Sequence, residues 1–201
     1  MHVKTIFSGF GGQGVIMMGY LLATAGMVEE KNVTCLPSYG AEVRGGTANC
    51  TVVIATEEIA SPVASEPEFA VLMNNPSLSR FQNRVQSGGT ILLNSSMIES
   101  RPIRGDLEIY EVPANDLAKQ VGQDKVANMV MLGAFLKRSG LVTLETLNRV
   151  LKDTFSHRNP GILKLNKSAL VVGYDYLELR EARDARQTDF RESGERSGEA
   201  L

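Results

Sequence analysis

Short apolar blocks alternate with longer segments of helical period along this chain. A brief β-branched run bounded by turn residues is typical of a strand, and apolar residues three and four apart predict a helix. The predicted strands are Val3–Ser8, Val33–Leu36, Ala48–Ala55, Phe69–Met73, Thr90–Asn94 and Asp106–Val112. The predicted helices are Val15–Val28, a short helix ending near Gln86, Pro113–Val121, Val126–Arg138, Leu144–Phe155 and Ile162–Arg183.

This alternation predicts the α/β class: a single three-layer domain with a mostly parallel sheet, opening with a βαβ unit. We expect the domain to cover residues 1–183. Residues 184–201 contain almost no apolar side chains and mix both charge signs, so they predict a separate, disordered tail.

The composition of the chain argues against several classes of function. The formal net charge is −2, which gives no electrostatic reason to expect nucleic acid or an anionic membrane. The chain enters its first strand directly, and its uncharged helix of 14 residues is too short to suggest a membrane span, so we expect a cytoplasmic protein. Cys35 and Cys50 are interpreted as two buried free thiols, too few for an iron–sulfur cluster.

A glycine-rich turn joins the first strand to the uncharged helix. Gly9, Gly11 and Gly14 fit G-x-G-x-x-G, with Gly12 and Gln13 between them. Glycine allows positive φ and close approach, and a helix start offers free N–H groups to an anion. The turn therefore predicts an anion or ligand site, a tight packing turn, or a dinucleotide site. The third needs an acidic residue after the second strand, where Ser38 and Tyr39 stand instead.

A second polar loop follows that strand, over residues 38–47. Glu42 and Arg44 are two residues apart, so in an extended loop both side chains point the same way. Arg44, Gly45 and Gly46 suit the binding of a phosphate or carboxylate; the alternative is an ion pair that only fixes the loop. We predict no catalytic residue, because no base accompanies Ser38, and no metal site.

The two loops together resemble the gamma subunits of 2-oxoacid:ferredoxin oxidoreductases. The resemblance rests on Gly9-Phe10-Gly11-Gly12-Gln13-Gly14-Val15, on residues 38–48, and on their separation. Ala41 and Val43 depart from the family pattern, which has Pro and often Met there. The residue pattern of the second loop resembles that of family members that act on 2-oxoglutarate or branched-chain 2-oxoacids. Of these substrates we favour 2-oxoglutarate.

The resemblance implies a non-redox subunit of an enzyme that converts a 2-oxoacid and CoA to acyl-CoA and CO2 while reducing ferredoxin. Thiamine diphosphate with Mg²⁺ is expected between alpha and beta subunits. The 4Fe-4S clusters are expected in beta or in a ferredoxin-like delta subunit. The family position places the gamma domain near the active-site entry, so we expect contact with CoA.

Carried over to this sequence, the resemblance assigns two groups of site residues. Gly9, Gly11, Gly12, Gln13 and Gly14 would form the turn, and Ser38, Tyr39, Glu42, Arg44, Gly45 and Gly46 the loop at the crevice or at the alpha interface. Two alternatives stay open: a free-standing nucleotide-binding protein of Rossmann type, and a purely structural assembly module.

Overall fold

The computed structural model describes residues 1–39, 47–156 and 160–198, with side chains described as far as residue 182. Six strands form one sheet: β1 (His2–Phe10), β2 (Asn32–Tyr39), β3 (Thr47–Ala55), β4 (Phe69–Leu72), β5 (Thr90–Asn94) and β6 (Glu108–Val112). The described α-helices are α1 (Val15–Val28), α2 (Asn75–Phe81), α3 (Ala114–Val121), α4 (Ala127–Ser139), α5 (Leu144–Phe155) and α6 (Pro160–Gly198). Short 3₁₀ turns at Gln82–Arg84 and Asp124–Val126 complete the fold.

The sheet order is β2-β3-β1-β4-β5-β6, and the last four strands of that order are parallel. β3 runs antiparallel to both β1 and β2. The opening strands β1 and β2 therefore run in the same direction, as the predicted βαβ unit requires, but β3 is inserted between them. The α/β class with a mostly parallel sheet is confirmed.

Helices cover the two faces of the sheet unequally. One large core joins α1, α4, α5 and α6 to inward residues such as Phe7, Cys50 and Val71. A smaller core on the opposite face joins α2 to Ile6 and Leu72. This arrangement confirms the three layers and leaves the second layer of helices thin.

Helices α4 and α6 pack at the distance of backbone contact. A Cβ built on Gly133 would lie 1.9 Å from the carbonyl oxygen of Leu170, and one on Gly173 would lie 1.9 Å from that of Val130. Only glycine fits at either position, since backbone atoms cannot move aside as a flexible side chain can. The pair therefore fixes α6 against the centre of the core.

Several predicted boundaries were wrong by a few residues. The helix expected to end near Gln86 stops at Phe81 and tightens into a 3₁₀ turn, and the last strand begins at Glu108 rather than Asp106. Helix α6 continues beyond Arg183 to Gly198, a segment that contains no proline and several helix-forming Arg, Glu and Gln residues. The disordered tail over residues 184–201 stays a prediction.

Candidate functional site

The glycine turn is built at the carboxyl end of β1, where it leads into α1. Gly12 has φ +98° and Gly14 has φ +75°, a region that L side chains rarely adopt. Gly9 is required by packing instead, because a Cβ there would lie 2.9 Å from Val15 Cγ1 and 3.0 Å from Met73 Cβ. Gly11 is exposed. The turn is thus tight at both ends and open to solvent in its middle.

The side chain of Gln13 stabilises the turn by hydrogen bonds to its backbone and to Asn74. Its Oε1 atom accepts hydrogen bonds from the backbone N–H of Phe10 at 2.6 Å and from Asn74 Nδ2 at 3.0 Å. Asn74 in turn caps α2 by accepting from the N–H of Ser77 at 2.9 Å. One amide oxygen therefore ties the β1 turn to the carboxyl end of β4, which makes Gln13 a positioning residue for the turn.

The first turn of α1 has no side-chain cap. Gly14 occupies the cap position, and its side-chain hydrogen cannot accept from the helix N–H groups. Asn128 from α4 lies against it, with Nδ2 donating to the Gly14 carbonyl oxygen at 3.5 Å. The uncapped N–H groups leave partial positive charge at this end of α1, which favours an anion.

A crevice opens beside the turn at the carboxyl ends of β1, β4 and β5. We call it the glycine crevice. Its volume is about 270 Å³, and its lining includes Gly12, Gln13, Asn115, Lys125 and Asn128. A second cavity of about 440 Å³ adjoins it on the α6 side and shares Lys125 and Asn128. Among the described lining residues, Lys125 is the one cation of both cavities.

A chain of amides supports the far wall of the glycine crevice. Asn94, at the end of β5, donates to Asn115 Oδ1 at 2.7 Å, and Asn115 Nδ2 donates to Asp124 Oδ1 at 2.6 Å. The Asp124 carboxylate is thereby engaged beside Lys125. The sequence analysis missed Asn94, Asn115, Lys125 and Asn128. One signal was present, since Asn74 and Asn94 each stand at the carboxyl end of a predicted strand.

Ser38 and Tyr39 lie at the same edge of the sheet as the glycine turn. Ala48 is the register partner of both Gly9 and Tyr39, so the turn and Tyr39 are two strands apart, roughly 10 Å. The Tyr39 side chain is exposed, and Ser38 faces a separate pocket on the sheet. Glu42, Arg44, Gly45 and Gly46 lie outside the described residues, and their roles stay predictions.

The two thiols contact each other on neighbouring strands. The Sγ atoms of Cys35 and Cys50 are 3.4 Å apart. Cys50 is buried beneath α1, but Cys35 is exposed, so the expectation of two buried thiols was wrong for Cys35, which lies on the edge strand β2. A hydrogen bond from Cys50 lowers the pKa of Cys35 to about 7, and the same contact with burial raises the pKa of Cys50. Two thiols engaged with each other do not fit the four-thiolate shell of an iron–sulfur cluster.

The strand order bears on the dinucleotide alternative. A Rossmann site places its second strand beside the first, with the acidic residue at its end near the glycine turn. Here β3 separates β2 from β1, and Ser38 and Tyr39 end β2. This topology disfavours a dinucleotide site. No helix among the described residues carries an apolar stretch long enough to cross a membrane.

These features define a class: a three-layer α/β domain that offers a ligand crevice and, among its described residues, no nucleophile paired with a base. Comparison with known proteins then makes the assignment. The chain belongs to the family described as "Pyruvate ferredoxin/flavodoxin oxidoreductase", whose model matches residues 4–176. This confirms the family resemblance predicted from the two loops.

Curated relatives agree with the assignment. The chain is 36% identical over 177 residues to ketoisovalerate oxidoreductase subunit VorA of Methanothermobacter marburgensis, a match that covers 87% of this chain. It spans only 36% of that relative's length. It is also 32% identical to 2-oxoglutarate synthase subunit KorC of the same organism, covering 88% of this chain and 97% of KorC.

Solved structures share the fold. The gamma subunit of a keto/oxoacid ferredoxin oxidoreductase from Geobacter sulfurreducens matches with a TM-score of 0.76 at 26% identity, covering 88% of this chain and 99% of that one. A 2-oxoglutarate:ferredoxin oxidoreductase from Magnetococcus marinus, with 2-oxoglutarate, coenzyme A and succinyl-CoA bound, matches with a TM-score of 0.82 at 22% identity. That match covers 89% of this chain and 31% of that chain.

Proposed function

We propose that this chain is the non-redox gamma subunit of a 2-oxoacid:ferredoxin oxidoreductase and contributes CoA contacts to that enzyme. The observation that carries the proposal is the glycine crevice, placed on a domain that matches a 2-oxoglutarate synthase subunit over nearly its whole length. The complex would convert a 2-oxoacid and CoA to acyl-CoA and CO2 and pass two electrons to ferredoxin.

The crevice suits a phosphate-bearing ligand such as CoA. Backbone approach is open at Gly12, where a built Cβ meets nothing within 4 Å. The uncapped N–H groups of α1 and the Lys125 ammonium supply positive charge, and the amides of Gln13, Asn115 and Asn128 supply neutral donors. The lining also contains one carboxylate, Asp124, which accepts a hydrogen bond from Asn115 Nδ2. In this proposal these groups bind and orient the ligand.

The remaining chemistry belongs to partners in this proposal. Alpha and beta subunits would hold thiamine diphosphate and Mg²⁺, and beta or a ferredoxin-like delta subunit would hold the 4Fe-4S clusters. Thiamine diphosphate supplies the carbanion-stabilising chemistry for decarboxylation. The thiol pair Cys35–Cys50 does not suit cluster binding, which supports this division of labour, and we expect the complex in the cytoplasm.

An apolar surface on α1 is the proposed contact with the alpha subunit. Tyr20, Met27 and Val28 lie on its outer side and are 54%, 58% and 39% exposed. Their spacing of seven and eight residues puts them on one side of the helix. The whole helix carries no charge, so contact with another protein surface is more favourable for this side than contact with water.

For the substrate we propose 2-oxoglutarate. Its support is the nearly full-length match to a 2-oxoglutarate synthase subunit. The ketoisovalerate relative is slightly more identical but is much longer than this chain. A panel of 2-oxoglutarate, ketoisovalerate and pyruvate, assayed with the native complex, CoA and ferredoxin, decides between them, and a higher kcat/KM for either competitor would overturn this choice.

The CoA contact is tested by Gly12→Asn in the complete complex. Asparagine tolerates positive φ, so the turn keeps its backbone while a side chain enters the crevice. We expect the KM for CoA to rise about tenfold, with the KM for the 2-oxoacid unchanged. Gly140→Asn is the matched control, because Gly140 also has positive φ (+59°) and open space but lies after α4. Equal CoA kinetics in both variants would contradict the contact.

The assembly role is tested by the double variant Tyr20→Asp with Met27→Asp. Charges on this side of α1 should prevent co-purification with the larger subunits while the isolated chain keeps its melting temperature. If Gly12→Asn also weakens assembly but leaves the CoA kinetics unchanged, that result would favour a purely structural assembly module. A stable lone monomer from the native source, without any co-purifying subunit, would overturn the subunit assignment itself.

A further inference from the structure

A polar pocket lies on the open face of the sheet, on the side opposite α1. It has a volume of about 200 Å³ and sits over β1, β2 and β3. Its polar lining consists of Ser38, Asn49, Thr51, Arg80 and Arg84, and the rest of the lining is apolar. No acidic side chain belongs to the described lining, so the positive charge of the two arginines is not neutralised there. We call it the arginine pocket.

Two side chains of β3 direct their polar groups toward this pocket. Asn49 is 8% exposed and Thr51 is 9% exposed, and both alternate with core residues of β3, so they face the pocket. Neither side chain makes a hydrogen bond within the described residues. Their polar atoms are therefore available to a group that enters the pocket.

The two arginines lie beside these groups and are exposed to solvent. The guanidinium carbons of Arg80 and Arg84 lie 5.2 and 5.5 Å from the centroid of the Phe81 ring. Arg80 also donates to Thr47 Oγ1 at 3.2 Å, whereas Arg84 has no ion pair within the described part of the chain. A guanidinium fork, a hydroxyl and an amide are the donors that carboxylate and phosphate oxygens require.

We propose that the arginine pocket binds a small oxyanion, a phosphate or carboxylate group, at a site separate from the glycine crevice. Arg84 supplies the principal charge, Arg80 the second charge, and Ser38, Asn49 and Thr51 the neutral donors. The pocket volume accommodates one such group with its first few attached atoms. The site stands on the geometry of this face and does not depend on the proposed subunit function.

The test is a titration of the full chain with inorganic phosphate and, separately, with succinate, at constant ionic strength. Binding is followed by the NMR shifts of the Arg84 Nε–H and Asn49 Nδ2 resonances. We expect saturable shifts with at least one probe, and the preferred probe identifies the ligand as phosphate or carboxylate. Absence of saturation with both probes would overturn the proposal.

Variants locate the bound anion. Arg84→Gln should weaken binding about tenfold, and adding Arg80→Gln should weaken it further, because charge-assisted hydrogen bonds are lost. Arg84→Lys retains the charge but not the fork and should fall between. Arg149→Gln, an exposed arginine on α5, is the matched control and should bind as wild type.

Two results would contradict the assignment to this pocket. One is unchanged affinity in the Arg80→Gln, Arg84→Gln double variant with its melting temperature intact. The other is loss of binding in Gly12→Asn, which would place the anion at the glycine crevice instead.

Discussion

The two faces of β3 are built for opposite purposes, although they belong to the same nine residues. Cys50, Val52 and Ile54 face α1 and are fully buried in the large core. Asn49 and Thr51, which alternate with these residues along the strand, face the arginine pocket. The first face contributes stability through apolar burial. The second presents polar side chains to an open pocket.

The largest expected effect comes from the helix layer that covers the first face. In Gly133→Ala the added Cβ would meet the Leu170 carbonyl at 1.9 Å, so α4 and α6 must separate. We expect a loss of about 3 kcal/mol in the free energy of unfolding, from overpacking against backbone. Urea denaturation measures it, with Gly105→Ala as control, since a Cβ on Gly105 meets nothing within 4 Å. Equal midpoints for the two variants would show that α4 and α6 are not packed this closely.

Exchanging a polar and an apolar side chain between the two faces of β3 tests whether these faces differ. Val52→Thr places a hydroxyl in the dry core and should lower stability by about 2 kcal/mol. Thr51→Val removes an unpartnered hydroxyl from the other face and should leave stability within about 1 kcal/mol of wild type, or raise it. Chemical denaturation of both variants gives the answer. A loss in Thr51→Val as large as that in Val52→Thr would mean that Thr51 is satisfied and the open face is ordinary core.

A third prediction concerns the end of α1 on the packed face. Burial opposes ionisation of Glu29, but the Lys31 ammonium at 2.7 Å and the N–H of Thr143 at 2.7 Å outweigh it and lower the pKa to about 2. The folded pKa lies below the ordinary value of 4.5, so the stabilisation is present above pH 4.5 and is lost as the pH falls toward 2. Glu29→Gln should therefore cost about 1–2 kcal/mol at pH 7.

The pH dependence separates this effect from simple loss of packing. The difference in melting temperature between wild type and Glu29→Gln should hold from pH 7 down to about pH 4.5 and should shrink as the pH falls from there toward 2. A difference that stays constant over this range would show that the Glu29 charge does not link α1 to the start of α5. Lys125→Gln is a useful control, because the Lys125 side chain is exposed and should leave this dependence unchanged.

The smallest expected effect is a difference in reactivity between the thiols of Cys35 and Cys50. Because Cys50 donates to the Cys35 sulfur, the pKa of Cys35 is about 7, and half of Cys35 should be thiolate at pH 7. Iodoacetamide should label Cys35 and spare buried Cys50. In Cys50→Ala the pKa of Cys35 should return toward 9, so a much smaller fraction of Cys35 is thiolate at pH 7. Because the more basic thiolate is also more nucleophilic, the labelling rate should fall by only about fivefold. Mass spectrometry of timed samples measures both rates, and equal rates would exclude the hydrogen bond.

Local pattern was enough to predict the glycine turn, the helix Leu144–Phe155 and the α/β class. Each depends on residues close in sequence: glycine spacing, apolar period and turn residues. The insertion of β3 between β1 and β2 could not be predicted in this way, because strand order depends on pairing between distant segments. The apolar content of β1, β2 and β3 is compatible with either order.

Polar sites assembled from distant segments escaped the sequence analysis for the same reason. Arg80 lies on α2 and Arg84 on the 3₁₀ turn after it, and only packing brings them to Asn49 and Thr51 of β3. Asn128 is 114 residues from Gly14 in the chain, yet its amide lies against that carbonyl. By contrast, Gln13 was singled out from the motif and proves to be the internal lock of the turn.

The glycine contact between α4 and α6 has a consequence for how the chain is made. Gly133 emerges from the ribosome well before Gly173, so α4 is synthesised while its future neighbour is still inside the tunnel. During that interval the side of α4 that later meets α6, including Val130 and Gly133, is not yet covered by that helix. A ribosome that stalls between these two glycines should therefore release a chain that lacks the backbone contact between α4 and α6.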